Sequence, residues 1–130
     1  MEFLQPPGWA QPKGYSNGVV GAGRMVFVSG QVGWDAQQVF QTDDLVGQVR
    51  QALDNIVAIL AEAGAVPTDI VRMNWYLADK LEYNARQAEI GEAYRSIIGK
   101  HYPAMTALQV CGFIEAGAKV EIEATALLPG

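Results

Sequence analysis

The stretch Ala118-Lys119-Val120-Glu121-Ile122-Glu123-Ala124-Thr125-Ala126 alternates strictly, with small or branched apolar residues at even positions and polar ones at odd. That period is the signature of a strand with one buried face, because successive side chains point to opposite sides of a sheet. Val120, Ile122, Ala124 and Ala126 are thereby assigned to a core, and Lys119, Glu121, Glu123 and Thr125 to the opposite face. The two carboxylates stand roughly 6–7 Å apart, twice the rise per residue. Such a pair is tolerated where the face meets water or lines a polar pocket. Any fold for this chain must contain a sheet with one covered face and one that is polar or partnered.

The rest of the chain supplies elements to pair with that strand. Residues 1–14, rich in Pro, Gly and Gln, read as an irregular lead-in, and Tyr15–Val20 as a short strand before the turn Gly21-Ala22-Gly23. Arg24–Gly30 contains four consecutive apolar residues between turn signals and reads as a strand. Gln31–Gln41 reads as a loop. Thr42 or Asp43 is placed as the cap of a helix whose stripe is Leu45, Val49, Ala52, Leu53, Ile56, Ile59, Leu60 and Ala63, with Gly64 as its stop. Ile70–Leu77 alternates, with Val71, Met73, Trp75 and Leu77 inward and Arg72, Asn74 and Tyr76 outward. A second helix runs from about Leu81 or Tyr83 to Ile98, burying Ile90, Tyr94, Ile97 and Ile98, and strands follow at Met105–Val110 and Ala118–Leu127. The order β-β-α-β-α-β-β predicts an α+β domain over 1–130: a mixed sheet, hairpins at both ends and two helices on one face. In-phase strands put Arg72, Asn74, Tyr76, Glu121 and Glu123 together on the other face, which suits a subunit interface or solvent.

Composition narrows the functions. The 130 residues carry a net charge of −5 and no run of Lys or Arg, which disfavours a phosphate-backbone partner. Only 18% of residues are charged, consistent with surface hidden between subunits. Cys111 and His101 are single, which excludes an internal disulfide and a Cys/His zinc site. Cys111 is expected as a small buried side chain. The first residues lack the basic and apolar regions of a signal peptide, and no stretch is long enough to span a membrane; a cytoplasmic location is expected.

Seven short pieces then fall in a particular order: Gly14-Tyr15-Ser16-Asn17-Gly18-Val19, Val28-Ser29-Gly30-Gln31, Gln51-Ala52-Leu53-Asp54-Asn55-Ile56, Ala63-Gly64, Asp69-Ile70-Val71, Tyr102-Pro103-Ala104 and Val120-Glu121-Ile122-Glu123-Ala124. With that order and spacing the chain resembles the RidA/YjgF-type reactive-intermediate deaminases over nearly its whole length. The resemblance implies a chorismate-mutase-like protomer, three of which pack their sheets around a central barrel with small-molecule pockets at the interfaces. It implies a cofactor-free hydrolase that converts small enamines and imines to ketoacids and ammonia, without metal. Carried over by position, the Glu thought to orient water falls on Glu121 and the amino-terminal Tyr on Tyr15. The backbone that holds substrate falls on Ser29, Gly30 and Gln31. The Arg that clamps the substrate carboxylate falls on Met105, the Cys two residues later on Ala107, and an Asn of the second helix on Ala88.

Met105 is the departure that matters. A thioether donates no hydrogen bond to a carboxylate, and losing a charge-assisted bidentate contact costs on the order of a hundredfold in affinity. The expected ligand is therefore less anionic and more apolar than the usual 2-imino acids, with Met105 as an apolar wall. A binding module that keeps the pocket and has lost catalysis is the alternative. A nuclease reading attached to relatives is disfavoured by the acidic charge and the single His. Glu121 with Glu123 as a glycosidase pair fails because both leave one strand in the same direction. Ser29 with His101 as a triad lacks a nucleophile elbow, and Gly21-Ala22-Gly23 precedes a strand, not the helix a phosphate loop needs.

Overall fold

A computed structural model describes residues 1–129. Its elements are β1 (Glu2–Leu4), β2 (Gly18–Val20), β3 (Arg24–Val32), α1 (Leu45–Glu62), a 3-10 turn (Pro67–Asp69), β4 (Ile70–Leu77), α2 (Lys80–Ala85), α3 (Gln87–Ile97), β5 (Ala104–Gln109) and β6 (Val120–Leu128). The main sheet has the order β3-β6-β4-β5. β6 runs antiparallel to both β3 and β4, whereas β5 joins β4 in parallel and forms an edge. The α+β class and the mixed sheet with helices on one face are as expected.

The alternating strand is the centre of this sheet. Val120, Ile122, Ala124, Ala126 and Leu128 are all buried, while every odd residue from Glu121 to Leu127 is partly exposed. α1 packs over them with Leu53, Ile56 and Leu60 fully enclosed, each contributing about 1.5–3 kcal/mol by leaving water. α3 adds Ile90, Ala93 and Tyr94 to the same core.

Several local expectations are corrected. The lead-in is not wholly irregular, since Glu2–Leu4 pairs with Gly18–Val20 in a separate two-stranded sheet. Neither end forms the expected hairpin: β2 pairs with β1, and β5 and β6 are separated by β4. Asp44, not Thr42 or Asp43, caps α1, its carboxylate accepting from the Gly47 N–H at 3.0 Å, and the first turn holds no acid. Ile59, assigned to the apolar stripe, is exposed, as is Ala63. Val71 is not an inward residue: a register shift between Ile70 and Arg72 lets Ile70 and Met73 both face the core. The second helix is two helices, broken at Arg86, whose backbone leaves helical geometry at φ −114°, ψ 26°. Cys111 is exposed, because the 110–119 segment crosses the surface instead of entering the core. Gly64, at φ +76°, ends α1 in the left-handed conformation that glycine adopts without strain.

Candidate active site

Glu121 projects from the open face of β6, opposite Tyr76 of β4. A bulge in β3 between Val28 and Gln31 brings Gly30 under it, so closely that a Cβ built on Gly30 would overlap the Glu121 Oε2 atom. Gly30 is thus required by close approach and not by a special dihedral. Ser29 is exposed beside it, its carbonyl and hydroxyl oxygens accepting from the Gln31 side-chain amide at 3.1 and 3.3 Å. Ser29, Gly30, Gln31 and Glu121 therefore gather at one end of the β3–β6 pair.

Glu123, one step along the same face, has a different role. It accepts hydrogen bonds from Asn74 Nδ2 at 3.0 Å and from the Tyr76 hydroxyl at 2.7 Å. The second bond, together with burial and the charge of the carboxylate, raises the Tyr76 phenol above its ordinary pKa. Two donors hold Glu123 in place, whereas the Glu121 carboxylate has no side-chain hydrogen bond among the described residues. Strand alternation in the sequence places Asn74, Tyr76 and Glu123 on one face but does not assign the hydrogen bonds that join them. Arg72, Asn74, Ser29 and Glu123 line a cavity of about 380 Å³ on this open face.

Met105 lies elsewhere. It pairs in register with Met73 and, like it, turns toward the helices, half-buried against the core. There it borders a cavity of about 270 Å³ between β5 and α3. Tyr15 is held near the same edge: the Ser16 N–H donates to the Pro103 carbonyl at 3.1 Å, the Ser16 hydroxyl bonds the Tyr102 carbonyl, and Ser16 bridges Ala104. Tyr15 itself is 40% exposed. Ala107 lies on β5 with its neighbours exposed along the uncovered edge, and Ala88 is exposed on α3. The predicted residues thus form two groups. Met105, Tyr15 and Ala107 belong to the β5 edge, while Glu121, Ser29, Gly30 and Gln31 belong to the β3–β6 end. Two strand spacings, about 9–10 Å, and the sheet itself separate Met105 from Glu121.

Residues 9–128 match the family model described as Endoribonuclease L-PSP. The chain belongs to that family, the RidA/YjgF proteins. Among its curated relatives is the human 2-iminobutanoate/2-iminopropanoate deaminase, 32% identical over 98% of this chain and 88% of the relative. Among solved structures, the Rid-family protein YyfB of Yersinia pestis, of unknown function, superposes with a TM-score of 0.87 at 30% identity, covering 98% of each chain. Escherichia coli TdcF with bound serine gives 0.69 at 31% identity, over 98% of this chain and 99% of that one. Within this RidA-family fold no helix among the described residues is long and apolar enough to cross a membrane.

Proposed function

We propose that this RidA-family protein is a cofactor-free hydrolase that releases ammonia from a small enamine or imine, and that it works as a homotrimer. The observation that carries this reading is the division of the site. Glu121 with its Gly30 neighbour lies on the open face, while Met105 lies on the helix face two strands away and Tyr15 is held beside the β5 edge, so the candidate residues do not converge within a single chain. Packing the open face of one copy against the β5 edge of the next would complete a pocket, and the large exposed side chain of Phe27 on that face, 71% accessible, favours such burial.

In that pocket Glu121 orients a water, Tyr15 hydrogen-bonds water or substrate, and the backbone of Ser29, Gly30 and Gln31 holds the ligand. The water oxygen bonds to the imine carbon while its proton passes by way of Glu121 to the nitrogen. The hydroxyl proton of the tetrahedral adduct then passes, again by way of Glu121, to the amine nitrogen as the C–N bond breaks and the C=O bond forms, leaving a carbonyl compound and ammonia. The imine carbon is already electrophilic, so position and one proton-handling group suffice. Met105 offers an apolar wall where a carboxylate clamp would stand, and short 2-imino acids are accordingly poor substrates.

The test is ammonia and carbonyl release from imines generated in situ, with and without a carboxylate, in the presence of the protein. The expected result is acceleration that Glu121→Gln lowers by about a hundredfold or more without loss of fold by circular dichroism. No acceleration of any small imine would discard the enzymatic reading and leave the alternative suggested by Met105, a trimer that binds a metabolite without turning it over.

A further inference from the structure

The cavity between β5 and α3 has a composition that specifies a ligand. Its floor and walls include Trp75, Tyr83, Tyr94 and Tyr102, with the Met73 and Met105 thioethers between them. The rings are already organised: Tyr94 stacks on Tyr102 with centroids 5.7 Å apart, and Trp75 meets Tyr83 edge-on at 6.3 Å. Aromatic faces and polarisable sulfur select a flat ring over an alkyl chain. An apolar cavity of about 150 Å³ holds benzene, so the 270 Å³ here admits one ring with a short tail.

The rim has the opposite character. No carboxylate lines this cavity, whereas Lys13 and Arg95 both do. Arg95 folds back one turn of α3 over Gly91, where a Cβ would sit 3.0 Å from its Nη1 atom, so Gly91 leaves room for the guanidinium at the mouth. Among the described residues both ion pairs belong to Arg86, and Arg95 and Lys13 have none. Trp75, only 2% exposed, lines the same cavity, and its indole N–H is the buried side-chain polar atom found without a partner among the described residues.

We propose that this cavity binds a small aromatic anion, its ring among the tyrosines and its anionic group on Arg95, seconded by Lys13. The anion anchor is thereby moved from the strand position held by Met105 to the helix across the cavity, where a guanidinium can engage a carboxylate through two parallel hydrogen bonds. Resting on the hydrolase reading above, this names its substrate class as imines with an aryl or arylmethyl group, in place of short aliphatic imino acids.

The experiment uses two unreactive probes, 3-phenylpropanoate and its uncharged amide, titrated into ¹⁵N-labelled protein. Binding is read at the Trp75 indole N–H resonance, assigned with Trp9→Phe and Trp34→Phe variants. The expected result is a shift of the Trp75 resonance by the acid, with tighter binding of the acid than of the amide. Arg95→Gln should lower affinity for the acid about tenfold at low salt and leave the amide unchanged, and Arg95→Lys should fall between. Equal affinity of acid and amide, an Arg95→Gln variant that binds the acid as well as the native protein, or no movement of the Trp75 resonance would each overturn it. Because neither probe is turned over, success or failure here is separate from success or failure of the imine assay.

Discussion

At the scale of single residues, the two carboxylates of β6 are alike in sequence and unlike in surroundings. Glu123 is saturated by Asn74 and Tyr76, whereas Glu121 rests against bare backbone at Gly30. Gly30→Ala should therefore behave as a displacement of Glu121. Imine turnover is expected to fall nearly as far as in Glu121→Ala, with a stability loss of about 1–3 kcal/mol from overpacking, measured by steady-state rates and urea unfolding on the same samples. Glu123→Gln should act on Tyr76 instead. The hydrogen bond to a charged acceptor raises the phenol pKa, so the variant should titrate at lower pH, read from the tyrosinate absorbance of native protein. The sign for stability follows from linkage. A folded-state phenol pKa above its unfolded value contributes stability that is present below pH 10 and is lost as pH rises through the folded value. In Glu123→Gln the folded-state phenol pKa returns toward its unfolded value, so the alkaline limb of a stability profile should be flatter than in the native protein.

At the scale of elements, much of the fold is legible because period-two and helical patterns are local. The buried face of β6, the span of β4 and the stop at Gly64 all follow from residues a few positions apart. What sequence could not supply was pairing across the sheet. The bulge at Val71 restores phase with β6, the β3 bulge at Gly30 is set by the same partner, and the parallel place of β5 beside β4 depends on a neighbour thirty residues away in sequence. The same holds for the site, since the parity of Met105 and Glu121 does not reveal which faces their separate strands share. Gln48 is another such case. This fully buried amide donates to the Thr42 and Gly117 carbonyls at 3.1 and 2.9 Å and accepts from the Lys119 N–H at 2.7 Å, tying α1 to the segment that leads into β6. Gln48→Leu strands three backbone groups and should cost about 2–4 kcal/mol, seen as a lower urea midpoint. Asp44 links α1 to the break before α3, capping Gly47 while pairing with Arg86 at 2.6 Å. The Arg86 hydrogen bond, then the cap, hold its carboxyl below the usual range. That stability is present above the unfolded carboxylate pKa and lost as pH falls through the folded one. Asp44→Asn, which keeps a capping oxygen, should flatten the acid limb of a thermal-melting profile compared with the native protein.

At the scale of the whole molecule, the sheet has one face sealed by α1 and α3 and another that carries Met25 and Phe27 in the open beside a polar network. The open face is the one the proposed trimer would close. Phe27→Asp should give a particle of one-third the native mass by light scattering and should abolish turnover together with assembly, while leaving the monomer's circular dichroism intact. A native particle of monomer mass that still hydrolysed imines would refute the shared pocket. One further consequence lies in the strand order. β6 follows β3, β4 and β5 along the chain yet sits between β3 and β4, holding both by antiparallel pairing. Until residues 120–128 clear the ribosome, the nascent chain has two apolar strands with no common neighbour and a helix with half a surface to cover. Early capture of that intermediate by chaperones, or its aggregation during slow translation, is where this topology exposes the cell to risk.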